Sequence, residues 1–221
     1  MTSLAHPPVT SESAHTTLAH GPQTLAAEVH WSGGISPFGI SWQKLMMWLF
    51  LVSDALLFAG FLAAYGFVRL AAPAWPHQSE IFPMLKIAAM TFVLITSSAT
   101  MATAVGAAHR NDMRRAMTFT LLTAVGGAVF LGFQVNEWYT LISEGARLTQ
   151  NPWGVPAFSG FFFMITGFHG THVLIGVALL AIVAFRVKSG RTRGSGVELA
   201  GLYWHFVDLI WVFIFTCFYL L

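Results

Sequence analysis

The sequence has few charged residues and only one cysteine. Charged residues make up 9% of its 221 residues and hydrophobic residues make up 56%, whereas about a quarter of the residues in a soluble domain are charged. Cys217, the one cysteine, excludes an internal disulfide and a cysteine-based metal cluster. So small a polar surface does not cover a water-facing globule, and most of the exterior must therefore face lipid.

The first 40 residues contain no lysine and no arginine. They have neither the basic start nor the apolar core of a secretory signal. Their histidines are irregularly spaced, at His6, His15, His20 and His30. This composition predicts a polar, flexible cytoplasmic segment over residues 1–40. Metal capture by the scattered histidines is the alternative for this segment.

Charged residues divide the rest of the chain into five apolar runs. They cover residues 45–68, 87–108, 116–136, 156–185 and 199–221. Each reaches the ~20 residues that a helix needs to cross ~30 Å of hydrocarbon. One buried helix of a soluble protein can be this apolar, but five in succession are typical of an integral membrane protein. We therefore predict an all-α bundle of five transmembrane helices over residues 41–221.

Basic residues are distributed unevenly between the loops. Residues 109–115 and 186–193 are rich in arginine and lysine, whereas residues 71–80 contain neither and residues 144–155 contain only Arg147. Loops rich in lysine and arginine remain on the cytoplasmic side of a membrane. This asymmetry predicts that the N-terminus is cytoplasmic and that the C-terminus lies outside.

The second and fourth runs are rich in small residues, which allow helix backbones to approach closely in lipid. We therefore expect these two helices to pack against others over much of their surface. Leucine in place of Gly170 or Gly176 is predicted to weaken folding or association with a partner.

A small set of ionisable side chains lies within or beside the apolar runs: Asp54, Glu137, His169, His172, His205 and Asp208. Such groups are costly in a membrane, so each is a candidate functional residue. The two histidines of the fourth run are three residues apart, as are the histidine and aspartate of the fifth, so each pair shares a helix face. Helix rise places both aspartates ~15 Å from the cytoplasmic side. The same count places the glutamate near the outer surface, where it reaches water.

Three interpretations of these residues remain open. His169, His172 and His205 could hold a metal or a haem, which would make the chain a stand-alone membrane metalloenzyme. The acids could form a proton or ion path. The polar pairs could instead tie helices together in a subunit whose main task is assembly, and spacing alone favours this third interpretation. A carboxyl group in an apolar span is also suited to accept and donate protons, because burial disfavours its charged form.

Four motifs surround the ionisable residues of the apolar runs. Residues 203–208 read YWHFVD, and residues 166–173 read TGFHGTHV. The first resembles the last-helix signature of subunit III of the haem–copper respiratory oxidases, and the second is similar to the preceding helix of that family. Residues 133–137 resemble its Q-x-x-E element, and residues 48–54 resemble the helix that carries the buried acid of the family. The match covers about residues 41–221 in the order of the family.

The resemblance implies a core subunit of an oxygen-reducing, proton-pumping oxidase in the cell (inner) membrane. The family's subunit III carries no haem or copper and is not catalytic on its own, because those cofactors reside in subunits I and II. It is associated with assembly, stability and proton uptake into subunit I. The implied partners are subunits I and II and membrane phospholipids, with a respiratory supercomplex as a further candidate; nucleic acid is not expected.

The chain departs from the family pattern at two points. Asp54 stands where many cytochrome c oxidases have glutamate, as in quinol-oxidase relatives, whereas the Gly-Phe-His-Gly motif at residues 167–170 is closer to the cytochrome c type. We favour cytochrome c as the electron donor, with a quinol oxidase or a nitric oxide reductase accessory subunit as alternatives. The helix pair that precedes these spans in seven-span relatives is not found, so we expect the lipid-holding cleft to be incomplete within this chain.

Overall fold

The structure, a computed structural model, describes residues 40–192 and 194–221. These residues form helices and loops, with no strand among them. Residues 43–221 form one compact unit. Apart from its last residue, the segment 1–40 that we predict to be flexible lies outside the described residues.

The described residues contain six α-helices and one π-helical turn. They are α1 (Trp42–Ala71), α2 (Gln78–Ile81), α3 (Met84–His109), α4 (Met113–Ser143), α5 (Pro156–Lys188), α6 (Gly194–Phe215) and the π-helical turn Thr216–Leu220. Five of the helices, all except α2, are long and apolar enough to cross a membrane. The prediction of five spanning helices is therefore confirmed. Several of them continue past the apolar run into polar residues, since helix formation does not stop where hydrocarbon ends.

Three of the long helices end in the same type of turn. The residue that reverses the chain has a positive φ in each case, at Asn111 (62°), Gly145 (96°) and Gly190 (68°). The amide of the next residue then donates to a carbonyl five positions back, at 2.9–3.0 Å. This is the Schellman arrangement, which satisfies the last carbonyls of a helix and ends it sharply. Asparagine and glycine occupy these positions because they tolerate a left-handed backbone.

The indole of Trp204 lies at the centre of a ring of four helices. In this ring α3 and α5 each pack against both α4 and α6. Trp204 of α6 is fully buried, and its Nε1 donates to Ser97 Oγ of α3 at 3.1 Å. A Cβ added to Gly127 of α4 or Gly176 of α5 would lie 2.3 Å or 3.0 Å from the indole. These two glycines therefore make the space that the tryptophan fills.

The two glycines that the sequence singled out on α5 differ in their surroundings. Gly176 contacts Trp204, as expected of a close-packed position, but a Cβ added to Gly170 would meet nothing within 4 Å. Gly170 is therefore not a close-packed position among the described residues, and its effect on association with a partner stays a prediction. Six residues along an α-helix correspond to ~600° of rotation, so the two positions face different directions although both belong to the same apolar run.

Helix α1 lies at the edge of the ring and buries few side chains. Its buried residues are Leu51, Asp54, Phe58 and Tyr65. Polar contacts fasten both of its ends. Near its start Lys44 Nζ lies 2.5 Å from Glu198 Oε1 of α6, and near its end the Tyr65 hydroxyl donates to the Cys217 carbonyl at 3.3 Å. The candidate site lies between these two attachments.

Candidate functional site

Two ionisable side chains from different helices meet between α1 and α5. Asp54 is 8% exposed, and its Oδ1 lies 3.4 Å from His172 Nε2. The Nδ1 atom of His172 lies 2.8 Å from the Phe168 carbonyl. Because a carbonyl only accepts hydrogen bonds, Nδ1 carries a proton, and Nε2 is left to share a proton with the carboxyl group. The Asp54 carboxyl group and the His172 imidazole therefore form one buried acid–base pair that joins α1 and α5.

Aromatic side chains and one hydroxyl fix the position of this pair. The Tyr203 hydroxyl of α6 donates to the His172 carbonyl at 3.0 Å. Phe58, one turn after Asp54, contacts the His172 ring edge-on with centroids 5.5 Å apart. Asp54 Oδ2 is buried and has no hydrogen-bond partner among the described residues. The second carboxyl oxygen is thus enclosed by the bundle without a hydrogen bond from the described residues.

His169 lies apart from the Asp54–His172 pair. It is fully buried, and neither ring nitrogen has a hydrogen-bond partner among the described residues. Its ring stacks on Trp211 with centroids 5.3 Å apart and contacts Phe130 edge-on at 5.9 Å. That His169 and His172 form one polar patch stays a prediction, because Phe58 of α1 contacts both rings, with centroids 6.4 Å from His169 and 5.5 Å from His172. A separation of three residues leaves ~60° between the side chains, so that His169 packs among aromatic rings of α4 and α6 while His172 pairs with α1.

The polar residues of α6 form a third cluster, beside α3. His205 Nδ1 lies 2.7 Å from Ser98 Oγ of α3. Asp208, one turn further along α6, interacts with both Ser98 and His205. Asp54 and Asp208 therefore belong to separate clusters, although helix rise predicted the same depth for both.

Glu137 is enclosed near the C-terminal end of the chain, between α4 and the π-helical turn. It is 2% exposed, and its Oε2 accepts hydrogen bonds from the Tyr219 hydroxyl at 3.0 Å and from Gln134 Nε2 at 3.3 Å. Our expectation that Glu137 reaches water is therefore wrong for this chain. Helix α4 continues beyond it to Ser143, and the π-helical turn places Tyr219 against it.

Sequence reasoning missed three hydroxyl groups that organise these clusters. They belong to Ser98, Tyr203 and Tyr219. A buried tyrosine hydroxyl usually forms a hydrogen bond. The two tyrosines of the last span could therefore have been predicted to donate hydrogen bonds within the bundle. Their partners are 31 and 82 positions away along the chain, and no sequence periodicity identifies such pairs.

The three membrane histidines do not converge on one point. His172 pairs with Asp54, His169 stacks on Trp211, and His205 bonds to Ser98. Within the described part of the chain, no three residues of the types His, Cys, Asp and Glu are grouped so that they could hold a metal ion. The three histidines are therefore not arranged as ligands of one metal ion, as the metalloenzyme interpretation requires.

A cavity of about 650 Å³ opens at the end of the bundle where α5 ends and α6 begins. Its apolar wall includes Met47 of α1 and Leu179 of α5, and Tyr203 also lines it. Arg186 and Arg191 contribute cations to the lining. The cavity thus combines positive charge at one end of the bundle with an apolar interior.

Comparison with known proteins gives a consistent result. The family model described as cytochrome c oxidase subunit III matches residues 22–221. The cytochrome c oxidase subunit 3 of Thermostichus vulcanus is 37% identical over 177 residues, which cover 78% of this chain and 84% of the relative. The quinol oxidase subunit 3 of Bacillus spizizenii is 34% identical over 180 residues (80% and 86%). The cytochrome bo(3) ubiquinol oxidase subunit 3 of Pseudomonas aeruginosa is 31% identical over 195 residues (87% and 88%).

Proposed function

The chain belongs to the cytochrome c oxidase subunit III family, and we propose that it supports the assembly, stability and proton uptake of subunit I in a proton-pumping terminal oxidase. It is a multi-pass membrane protein and part of an oxidase complex. In this proposal it carries no redox cofactor, and haem and copper reside in subunits I and II. The oxidase lies in the inner cell membrane, where it takes up protons from the cytoplasm.

The Asp54–His172 pair is the observation that carries the proposal of proton uptake. Its two groups, 3.4 Å apart, can hold one proton in either of two arrangements. Asp54 Oδ2 is left without a partner among the described residues. An enclosed acid with one oxygen beside a histidine and one oxygen unpaired can exchange a proton with that histidine, and passage of the proton to a neighbouring subunit requires a local movement that opens the site. An acid inside a membrane is also expensive to retain, which favours a functional role.

Replacement of Asp54 by asparagine tests this role in the intact oxidase. Asparagine keeps the size and the hydrogen-bonding capacity of the side chain but does not ionise. We expect normal assembly, with slower steady-state oxygen uptake at high pH, where protons are scarce, or with faster loss of activity during turnover. Oxygen consumption between pH 6 and pH 9, together with the number of turnovers before inactivation, measures both effects.

Ser53→Ala is the matched control for that substitution. Ser53 is exposed, and among the described residues its hydroxyl bonds to the Phe50 carbonyl of its own helix. The control should match the parent in rate, pH profile and turnover lifetime. If Asp54→Asn also matches the parent in all three, Asp54 has a structural role only and the proposal for proton uptake fails.

We propose cytochrome c as the electron donor of the complex. The Gly-Phe-His-Gly motif at residues 167–170 supports this choice. Asp54 and the quinol oxidase relatives favour quinol as the alternative. Oxygen uptake by the purified complex with reduced cytochrome c, and separately with a reduced quinol, distinguishes the two. Activity with quinol alone would contradict the proposal.

Anionic phospholipids are further proposed partners. The 650 Å³ cavity between α1, α5 and α6 supports this proposal, because Arg186 and Arg191 suit a phosphate group and the apolar wall suits an acyl chain. Arg186→Gln should lower the amount of phosphatidylglycerol that remains with the purified complex. Native mass spectrometry measures that amount, and an unchanged lipid content would contradict this assignment.

A further inference from the structure

A second cavity is an open groove between α1 and α6. Its volume is about 480 Å³, and its walls are formed mainly by aliphatic and aromatic side chains. Trp48 and Phe58 of α1 face Phe206 and Phe213 of α6 across it. His205 is the one ionisable residue in its lining. This cavity is separate from the arginine-lined one, whose residues do not include the histidine.

The depth of His205 restricts what can bind to it. The spanning segment Gly194–Leu220 has 27 residues, and helix rise places His205 ~16 Å from its start in a total length of ~40 Å. With a hydrocarbon core of ~30 Å, the imidazole lies roughly 10 Å inside the apolar region. Headgroups of phospholipids remain at the interface, so their polar atoms do not reach this position.

The chemistry of His205 indicates a ligand with a polar oxygen. Its Nδ1 is occupied by Ser98 Oγ at 2.7 Å, which leaves Nε2 as the ring nitrogen that a ligand can use. A neutral imidazole can donate to a carbonyl or accept from a hydroxyl, depending on the tautomer. Placing such a group beside an apolar cavity is costly unless it forms a hydrogen bond. The groove thus suits a lipophilic molecule with one oxygen roughly 10 Å inside the hydrocarbon region.

We propose that this groove binds an isoprenoid quinone. A carbonyl or hydroxyl oxygen of the ring bonds to His205 Nε2, the flat ring lies among the aromatic side chains, and the tail follows the seam between α1 and α6. A volume of about 480 Å³ is in the usual range for sites of small ligands, ~300–1,000 Å³. This inference goes beyond the proposed function, because it adds a ligand that neither assembly nor proton uptake requires. It assigns no electron transfer to the bound molecule.

Photolabelling of the purified oxidase complex tests the site. The probe is a short-chain azido-quinone, with decylubiquinone as the competitor and phosphatidylglycerol as the control competitor. We expect label on peptides from α1 or α6 that decylubiquinone, but not phosphatidylglycerol, displaces. His205→Leu should weaken the affinity for decylubiquinone about tenfold, as expected for loss of one buried hydrogen bond. His205→Gln, which can still donate, should weaken it less.

A second pair of variants tests the groove without altering the histidine. Ala59 lines the cavity and is exposed to it, so Ala59→Phe should fill the groove and abolish competed labelling. Ala64 is also exposed on α1 but does not line the cavity. Ala64→Phe, the matched control, should label like the parent. Haem content and subunit stoichiometry verify that each variant complex is assembled.

Three results would overturn the proposal. Labelling that phosphatidylglycerol displaces and decylubiquinone does not would make the groove a site for acyl chains. Absence of label from α1 and α6 would mean that a partner subunit covers the groove. Competed labelling that Ala59→Phe and His205→Leu leave unchanged would place the quinone elsewhere.

Discussion

Polar side chains in the membrane differ in what surrounds each of them. Asp54 and His172 face one another across two helices, Glu137 is bonded by Tyr219 and Gln134, and His169 is enclosed by aromatic rings. All of them have a free-energy cost in the membrane. The groups that each side chain contacts determine its role. Asp54 and Asp208 each lie beside a histidine and keep one carboxyl oxygen without a hydrogen-bond partner among the described residues, but only the Asp54–His172 pair of these two joins different helices.

The Tyr219–Glu137 hydrogen bond leads to a prediction about stability. Tyr219→Phe removes the hydroxyl that donates to Glu137 Oε2 at 3.0 Å but keeps the ring that packs on Phe82. We expect a loss of about 1–2 kcal/mol, because a buried acceptor loses a partner. Tyr139→Phe is the control, since Tyr139 is 73% exposed, and it should change stability by less than about 0.5 kcal/mol. Equal stability of the two variants in denaturant unfolding would contradict the structural role of this bond.

The sequence identified the ionisable residues but not their partners. Their cost in hydrocarbon made all six recognisable as candidates, since few charged residues lie within the apolar runs. The distances between helices and the rotation of each helix about its axis determine which side chains contact each other. For this reason His169 and His172 have different partners, and Glu137 is buried. Those quantities come from packing, which a single sequence does not encode in any periodic signal.

The presence of the five spanning helices was easier to predict than which face of each helix packs against its neighbours. The length and apolar character of five runs predicted five spanning helices, and the structure has them. Apolar residues face lipid as readily as they face other helices, so hydrophobicity does not tell which side of a membrane helix is packed. Small residues indicated the packed face at one position but not at another. Gly176 contacts Trp204, whereas Gly170 has open space beside it.

The contact between Gly127 and Trp204 leads to a prediction about packing. A Cβ at Gly127 would lie 2.3 Å from the indole and 2.7 Å from Val177 Cγ2, and the fully buried tryptophan has no room to move. Gly127→Ala should therefore destabilise the protein by about 1–3 kcal/mol, as overpacked cores do.

Gly132→Ala is the control on the same helix. A Cβ there would meet nothing within 4 Å, and alanine favours an α-helix over glycine by about 1 kcal/mol. This variant should be neutral or more stable than the parent in denaturant unfolding of the detergent-solubilised protein. If Gly127→Ala is as stable as Gly132→Ala, the ring of helices is packed more loosely around Trp204 than described.

For the whole molecule, the distribution of lysine and arginine predicts the topology. Loops at residues 109–115 and 186–193 should lie in the cytoplasm, and Leu221 should lie outside. Reporter fusions after residues 40, 112, 190 and 221 test this in cells. The first three should give cytoplasmic signals and the last an external one. Cytoplasmic signal from the fusion at 221, or external signal from the fusion at 40, would show that the orientation is inverted or the span count wrong.

We propose that this chain maintains the activity of an oxidase whose redox centres lie in other subunits. Sustained oxygen consumption by the purified complex, with and without this chain, tests it most directly. We predict that the depleted complex keeps its haem and copper and its initial activity. It should respire more slowly at high pH and lose activity after fewer turnovers. An unchanged pH profile and lifetime, or loss of haem or copper in proportion to the chain removed, would contradict the claim.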